Sequence, residues 1–541
     1  MRDDYYHDDP VESSYGKNFF KRIVAATALV FGSVYLFQTT FAANISLNSG
    51  QAIQFGQGLT QAVACSGNSS LTLSSGSTFV NGAGATGAHY LSSVTVSGIP
   101  NSCFGTDFVI TAYDNASSTP LTIFNSTSTE AVVYNNNGTF TRGIGSNGST
   151  VSSGSGTFTV TFDSPVALAS SVHKLAIQSK KHMAFASSIT TGEQTCALLD
   201  TGGLRCWGSG GTTGDGGLTN RLTPVNVTGL TSGVSAVSSG ISHVCALLNT
   251  GAVRCWGYNN KGQVGNGQTS AFTPVSTPAS VTGLSSGVAA ISAGNDFTCA
   301  LLTNGGVRCW GDNSEGQLGN GTLTNSSSPV VVSGLSSSAV SIATGSRHAC
   351  ALLTSGTVQC WGANSSLELG NGNPVGRSMT PVDVQFLGAG VKSVAVGGSH
   401  SCALFNAGNV KCWGSNSYGQ TGSDFLHWRT GVADVGNLNS SAISIDLGNS
   451  HSCAVLSTGE ARCWGLNNHS QLGNGGTTNT HLPVTVSGLS SGVTSISAGV
   501  SYSCATISDG GVKCWGINSW GTLGDGTTTT RSTPVSVNGL F

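Results

Sequence analysis

An all-β protein is predicted by three features of the sequence. The stretch CALLNTGAVRCWG at Cys245–Gly257 recurs seven times with small changes, and neighbouring copies start 49 to 54 residues apart. A fixed period of that length, rich in Gly and β-branched residues, marks a repeat array such as a propeller. Gly, Ser, Thr and Asn supply the polarity while only 8% of the residues are charged, which suits short strands and many turns. Between residues 44 and 179, short alternating or apolar runs are separated by turn-rich breaks, the pattern of a β-sandwich.

The geometry of one repeat follows from its spacing. The first cysteines are Cys196, Cys245, Cys299, Cys350, Cys402, Cys453 and Cys504. Ten positions on stand Cys206, Cys255, Cys309, Cys360, Cys412, Cys463 and Cys514, each followed by Trp and Gly. Cysteines so spaced face each other if the chain reverses midway. A three-residue hairpin loop needs a type I turn followed by a left-handed residue, usually Gly. Six places after the first cysteine, Gly202, Gly251, Gly305, Gly356, Gly408, Gly459 and Gly510 all supply it. Asn249-Thr250-Gly251 should therefore turn, with Leu247 facing Val253 and Cys245 facing Cys255. Opposed residues on antiparallel strands bring Cβ atoms to roughly 4.5–5.5 Å, and a disulfide wants about 3.5–4.5 Å. One cross-strand disulfide per repeat is expected, with a slight pinch. Each closes a loop of about a dozen residues and contributes roughly 2–3 kcal/mol in the chain-entropy model.

Zinc is the competing reading. His243, His348, His400 and His451 stand two before the first cysteine, and residues two apart on a strand share a face. His-x-Cys with the second Cys could then supply three ligands. Gln194, Phe297 and Tyr502 hold that place in the other repeats, yet the cysteine pairs persist. The disulfide reading is therefore preferred, and the histidines are read as hydrogen-bonded framework.

The full unit is longer, and its third copy reads VAAISAGNDFTCALLTNGGVRCWGDNSEGQLGNGTLTNSSSPVVVSGL. His243-Val-Cys-Ala-Leu, Trp256-Gly-Tyr-Asn and Gly262-Gln-Val-Gly-Asn-Gly resemble the repeat of the regulator of chromosome condensation family. So do Trp310-Gly-Asp-Asn and Gly316-Gln-Leu-Gly-Asn-Gly. The resemblance covers about Met183 to Phe541. It implies a seven-bladed β-propeller of four-stranded blades, with the repeated Trp as core between blades. The chain stops just after Pro534-Val-Ser-Val537. This last strand is expected to pair into the first blade and close the ring.

Ahead of the repeats, residues 1–22 form a polar segment with Lys17, Lys21 and Arg22 before the apolar run Ile23–Phe37. A basic flank, an apolar run and small residues read as a secretory signal over 23–43, cleaved after Ala42 or Ala43, or else as an uncleaved signal-anchor. Residues 44–179 form the sandwich-like domain, with strands expected at Ser70–Leu73, Tyr90–Val96, Phe108–Tyr113, Leu121–Phe124, Ala131–Tyr134, Thr157–Phe162 and Val172–Ile177. Lys180-Lys181-His182 is read as a linker, and the propeller as 183–541. Fourteen of the sixteen cysteines pair by repeat, and the remaining Cys65 and Cys103 are expected to pair with each other. Disulfides at this density belong to an oxidising compartment, which agrees with the signal and puts the protein outside the cytoplasm, secreted or on the cell surface.

Departures from the repeat supply the candidate binding residues. Repeat one has Trp207-Gly-Ser-Gly-Gly and lacks the Asn and Gly-Gln of the others; repeat four has Leu367-Glu368-Leu369 for Gly-Gln-Leu. Repeat five replaces Gly-Asn-Gly with Ser423-Asp-Phe-Leu-His-Trp-Arg429, which puts Phe425, Trp428 and Arg429 in one loop. Such residues are enriched at binding hot spots, and loops on a scaffold commonly carry function. Trp520 stands in the corresponding loop of repeat seven. No nucleophile elbow, phosphate loop or His-Glu-x-x-His is present. No catalytic residue, metal or cofactor is nominated. A net charge of −2 is far from the basic balance of a nucleic-acid binder.

The expected function is an extracellular or cell-surface binding protein for a protein or glycan, attached to a membrane only through the N-terminal segment. The alternatives are a secreted inhibitor of an extracellular enzyme, since secreted bacterial propellers resembling this family include β-lactamase inhibitors, and a propeller enzyme. Nucleotide exchange on a small GTPase, the role of the family's nuclear member, conflicts with the signal and the disulfides.

Overall fold

A computed structural model describes residues 45, 46, 65, 71–80, 87–116, 119–125, 127–143, 146, 148–423 and 431–540. The chain divides into two compact units, Met1–His182 and Met183–Phe541. The apolar segment 23–43 and the loop residues Phe425, Trp428 and Arg429 lie outside the described residues.

The first unit is a two-sheet sandwich. Its strands are β1 (Ile45–Ser46), β2 (Thr72–Val80), β3 (Ala88–Ser97), β4 (Thr106–Tyr113), β5 (Glu130–Asn136), β6 (Thr139–Arg142), β7 (Ser149–Gly154), β8 (Thr157–Phe162) and β9 (Lys174–Lys181). One sheet runs β1-β9-β4-β5-β6 and the other β2-β3-β8-β7. Alternate residues of the two sheets, among them Val94, Val96, Phe108, Ile110, Phe158 and Val160, are buried in one core, as the period of two on a strand requires. Cys65 and Cys103 form a disulfide.

Three details differ from the sequence reading. Leu121–Phe124 is not a strand; only Phe124 makes isolated bridges, to Ser128 and Pro165. The strands Thr139–Arg142 and Ser149–Gly154 were not expected, because their residues are mostly polar and they lie at sheet edges. Lys180 and Lys181 are no linker: they finish β9, opposite Asp107 and Thr106. His182 then bonds Asp107 through Nδ1 at 2.7 Å and stacks on Tyr134 with ring centroids 3.6 Å apart.

The second unit contains seven four-stranded sheets, each made of four consecutive strands. In blade 2 these are Val234–Ser239, His243–Leu248, Val253–Asn259 and Ser270–Ser280. The hairpin forms as its spacing predicts: Cys245 faces Cys255 and Leu247 faces Val253. Gly251 takes φ 77°, the left-handed conformation that only Gly adopts at little cost. All seven repeat cysteine pairs are disulfides, with Cα atoms 4.0 to 4.1 Å apart.

Blade packs on blade through small apolar side chains around one tryptophan. Trp361 of blade 4, for example, is buried with Cys299, Cys309 and Leu318 of blade 3. Each of these seven indoles donates Nε1–H to a carbonyl of the preceding blade, such as Trp310 to Gln263 at 2.9 Å and Trp464 to Gln420 at 3.0 Å. A buried N–H must find an acceptor, so the repeated Trp fixes the blade spacing as well as filling the interface.

Ring closure differs from expectation. The last strand, Arg531–Ser536, stays in its own sheet beside Val512–Gly516 and does not enter blade 1. Blade 1 has its own four strands, beginning with Ala186–Thr191. Ala186 faces Leu199 as Val288 faces Leu302, so Ala186 opens the first strand of blade 1 as Val288 opens that of blade 3. Side chains close the ring. Trp207 donates to the Thr522 carbonyl at 2.8 Å, Thr195 Oγ1 lies 2.8 Å from Tyr502 Oη, and Arg205 Nη1 donates to the Gly539 carbonyl at 2.8 Å.

Candidate functional site

At one end of every blade, two loops lie side by side. One is the Gly-x-x-His turn between the first and second strands. The other is the Trp-Gly-x-Asn loop after the third strand. A backbone bond ties them together in each blade, for example Ser415 N–H to the Ser399 carbonyl at 2.8 Å. The loop asparagine organises the rest. Asn467 Oδ1 accepts from Leu472 N–H at 3.0 Å, and its Nδ2 donates to the Gly476 and Thr478 carbonyls, both at 3.1 Å. The following Gln folds back onto the loop: Gln420 Oε1 accepts from Tyr418 N–H and Gln471 Oε1 from His469 N–H, both at 2.9 Å. Side chains at the loop tip are thus presented from a fixed backbone, and little order remains to be imposed on binding.

The tip position, two before the Gln or the Glu368 and Thr522 that replace it in blades 4 and 7, varies from blade to blade: Lys261, Glu315, Ser366, Tyr418, His469 and Trp520 in blades 2 to 7. Trp520 is 42% exposed, and so is Tyr418. The sequence reading singled out Trp520 but missed Tyr418 and His469. The signal was there, in the third residue after each Trp-Gly-x, once the repeats are aligned on the tryptophan.

Charge is divided unevenly over this end. Blades 1 to 4 carry Glu193, Lys261, Asp296, Asp312, Glu315, Arg347 and Arg377, with Arg377 Nη1 3.5 Å from Glu315 and Lys261 Nζ 4.0 Å from Asp312. Burial, with Asp312 close by, raises the pKa of Asp296; burial also raises that of Glu193. Glu368 occupies a glutamine's place with Oε2 2.7 Å from Ser366 N–H, and burial raises its pKa too. In blades 5 to 7 the described loops hold one charged side chain, Asp525, paired with Arg531 at 2.8 Å.

The histidines are framework between blades. His243 Nε2 lies 2.7 Å from Thr298 Oγ1 of the next blade; His348, His400 and His451 reach Ser401, Ser452 and Ser503 at 2.8, 2.9 and 2.9 Å. Those hydroxyls donate onward to carbonyls, Ser452 to Gln420 at 2.8 Å for example. The histidine therefore donates from Nε2, and burial, which lowers its pKa, keeps it neutral. With the sulfurs joined in disulfides, the His-x-Cys-x9-Cys set is not available to zinc. Among the described residues, no group of three or more His, Cys, Asp or Glu is placed to hold a metal ion. Where Gln194 or Phe297 replaces the histidine, the next blade has Val244 or Ala349 in place of a hydroxyl, whereas Tyr502 keeps a hydroxyl partner in Thr195.

On the axis, the first strands of all seven blades line a cavity of about 150 Å³. Its wall is a ring of glycines in which a side chain has no room: a Cβ on Gly345 would lie 2.0 Å from the Gly397 carbonyl oxygen. Asp446 is the carboxylate in this lining. It accepts from Ala498 N–H at 2.8 Å, where Ser238 and Ser292 make the same bond to their neighbours in other blades. Burial pushes its pKa up to about 6 from 3.8. A raised carboxyl pKa favours the fold below pH 3.8 and loses that contribution as pH rises through 6. Asp446→Ser should therefore stabilise the propeller by about 2–3 kcal/mol at pH 7 and by little at pH 4. Chemical denaturation of both proteins at the two pH values checks this; an equal change at both would refute it.

A further periodic feature went unread in the sequence. The residue between Val or its equivalent and the second cysteine is basic in six repeats: Arg205, Arg254, Arg308, Lys411, Arg462 and Lys513. It sits at the opposite end of the blade. Arg462 Nη1 donates to the Asn437 carbonyl of the preceding blade at 2.7 Å, as Arg205 does to Gly539. Arg205 and Arg462 thus brace blade to blade.

Residues 204–541 match the model of the RCC1-like domain. The chain is 30% identical over 309 residues to the ultraviolet-B receptor UVR8 of Arabidopsis thaliana, covering 56% of this chain and 70% of that protein. It is also 30% identical over 287 residues to the E3 ubiquitin-protein ligase HERC2 of mouse and human, covering 52% of this chain but spanning only 6% of HERC2. Yeast RCC1 (Prp20), solved bound to Kap60, superposes with a TM-score of 0.56 at 22% identity, covering 66% of this chain and 86% of that one. Human WBSCR16 superposes with a TM-score of 0.53 at 21% identity, over 59% and 85% of the two chains. The two structural likenesses speak for the fold.

Proposed function

The chain belongs to the RCC1-like domain family, and from that premise we propose that it is a binding protein of the cell surface or extracellular space, without catalysis of its own. A disulfide-braced propeller fits a binding role. One observation carries the reading: a scaffold cross-linked in every blade presents variable side chains, Tyr418 and Trp520 among them, from hydrogen-bonded loops at one end. All sixteen cysteines are paired, and complete pairing persists in oxidising surroundings. Phe425, Trp428 and Arg429, which follow Tyr418 in the sequence of repeat five, are proposed as further binding residues. No nucleotide exchange is proposed, because cross-links in every blade do not suit a reducing nucleus or cytosol.

Surface labelling of the producing cells tests location. With a membrane-impermeant amine reagent, followed by denaturation and thiol alkylation, the protein should be labelled on amines and carry no alkylated cysteine. An unlabelled protein with alkylated cysteines would overturn the reading.

A further inference from the structure

Three consecutive blades place a ring at one equivalent position: Tyr418 in blade 5, His469 in blade 6 and Trp520 in blade 7. Tyr418 and Trp520 are exposed and His469 is half-buried. The tips lie against the next blade. A Cβ on Gly419 would be 2.6 Å from His481 Cα of blade 6, and one on Gly521 would be 2.9 Å from Leu222 Cα of blade 1. The rings therefore follow one another along an arc, each on a backbone anchored to its neighbour.

The surroundings say what such an arc can hold. Next to these rings in the same loops are Ser417, Asn468 and Ser519, and the turns bonded to the loops of blades 5 and 6 carry Ser399 and Ser450, hydroxyls and an amide that both donate and accept. Among the described residues, formal charge at this end gathers on blades 1 to 4, and Asp525, the one charged side chain of the described loops of blades 5 to 7, is paired with Arg531. A nucleic acid would need cations, which release counterions from its phosphates, and an acidic or basic peptide would need opposite charge. Flat aromatic faces among neutral hydroxyl and amide groups suit a ligand with apolar C–H faces and many hydroxyls. Three equivalent sites in a row suit a ligand that itself repeats, because successive contacts then add through effective concentration.

We propose that the arc Tyr418–His469–Trp520 binds a neutral polysaccharide, with sugar rings stacked on the aromatic faces and their hydroxyls bonded to the flanking Ser and Asn side chains. This inference rests on the binding-face reading above and names its ligand class.

The test is native electrophoresis of the full chain in gels cast with galactomannan, hydroxyethyl cellulose or glycogen, with anionic alginate as the charged control. At least one neutral polymer should retard the protein and alginate should not. Tyr418→Ala and Trp520→Ala, whose thermal midpoints should match the parent because both side chains are exposed, should each weaken retardation on the order of tenfold. Free passage through every neutral polymer, retardation unchanged in both variants, or retardation by alginate alone overturns the proposal. Binding to intact cells, measured in parallel, separates the two readings. Cell binding lost in Trp520→Ala without retardation by any glycan means a protein partner on the same face. Cell binding unchanged in both variants, with no retardation, removes the face itself.

Discussion

Acidification from pH 7 to pH 4 is expected to remove most of the propeller's stability. Burial holds His243 at a pKa of about 4, and His348, His400 and His451 at about 3, against 6.5 for a free histidine. A depressed folded-state pKa means that the unfolded chain binds the extra proton. Stability is thus full above pH 6.5 and is lost as pH falls toward the folded-state values. At pH 4 each histidine has withdrawn about 3 kcal/mol, and four such losses compare with the whole stability of an ordinary domain, about 5–15 kcal/mol. Asp446 opposes them, regaining about 2 kcal/mol over the same range, and Glu193, Asp296 and Glu368 act in its direction. The balance still favours unfolding, and the thermal midpoint should fall by roughly 10 °C or more.

The chain supplies its own control for this prediction. Phe297 followed by Ala349 is an apolar version of the His–hydroxyl pair, already present between blades 3 and 4. His400→Phe with Ser452→Ala copies it between blades 5 and 6. The double variant should lose about a quarter of the histidine-driven decline between pH 7 and pH 4, while its midpoint at pH 7 stays close to the parent's. A parent whose midpoint is level from pH 7 to pH 4, or a variant with the parent's slope, would show that the buried histidines do not govern acid stability.

What the sequence made legible, and what it hid, divides along one line. Features local to a repeat could be read. The offset of Gly251 from Cys245 fixed the hairpin register, and the alternation from Cys245 to Leu247 fixed which residues face each other, because both depend on a few bonds of neighbouring chain. Relations between repeats could not. That His400 meets Ser452, or that Phe297 goes with Ala349, is a pairing across about fifty residues. It is visible only once blade n is known to touch blade n+1 at that level. Ring closure was misread for the same reason. The last strand could satisfy its backbone bonds in either of two sheets, and only the inner strand Ala186–Thr191 shows that blade 1 is already complete. In the sandwich, Ser149–Gly154 was missed because it is an edge strand with a largely polar face, so no apolar alternation marks it. Among the binding candidates, Trp520 stood out by residue type. Tyr418 and His469 gain meaning only from sharing its position.

Reduction is expected to be the other large perturbation, and it bears on where the protein can live. Each repeat disulfide joins the two central strands of its sheet, and its sulfurs belong to the core beneath the next blade's tryptophan: Cys350 and Cys360 pack with Trp413, for example. Losing one cross-link frees a hairpin of ten-residue separation in the unfolded chain and should cost roughly 2–3 kcal/mol. Cys402→Val with Cys412→Val, which keeps apolar bulk in the core, should show a loss of that size in chemical denaturation. Across seven blades the effect exceeds what a domain ordinarily has to lose. The fully reduced chain, refolded from denaturant with reductant present, should give no cooperative transition, whereas the oxidised chain should refold. In native protein the same bonds should resist reductant, because every repeat cysteine is fully buried. Both halves must hold for the compartment argument to stand. A reduced chain that refolds with the oxidised midpoint would mean that the blades do not depend on their cross-links, and a reducing compartment would again be open to this protein. Failure to fold when reduced ties the propeller to an oxidising space by its own thermodynamics, independently of any segment that directs it there.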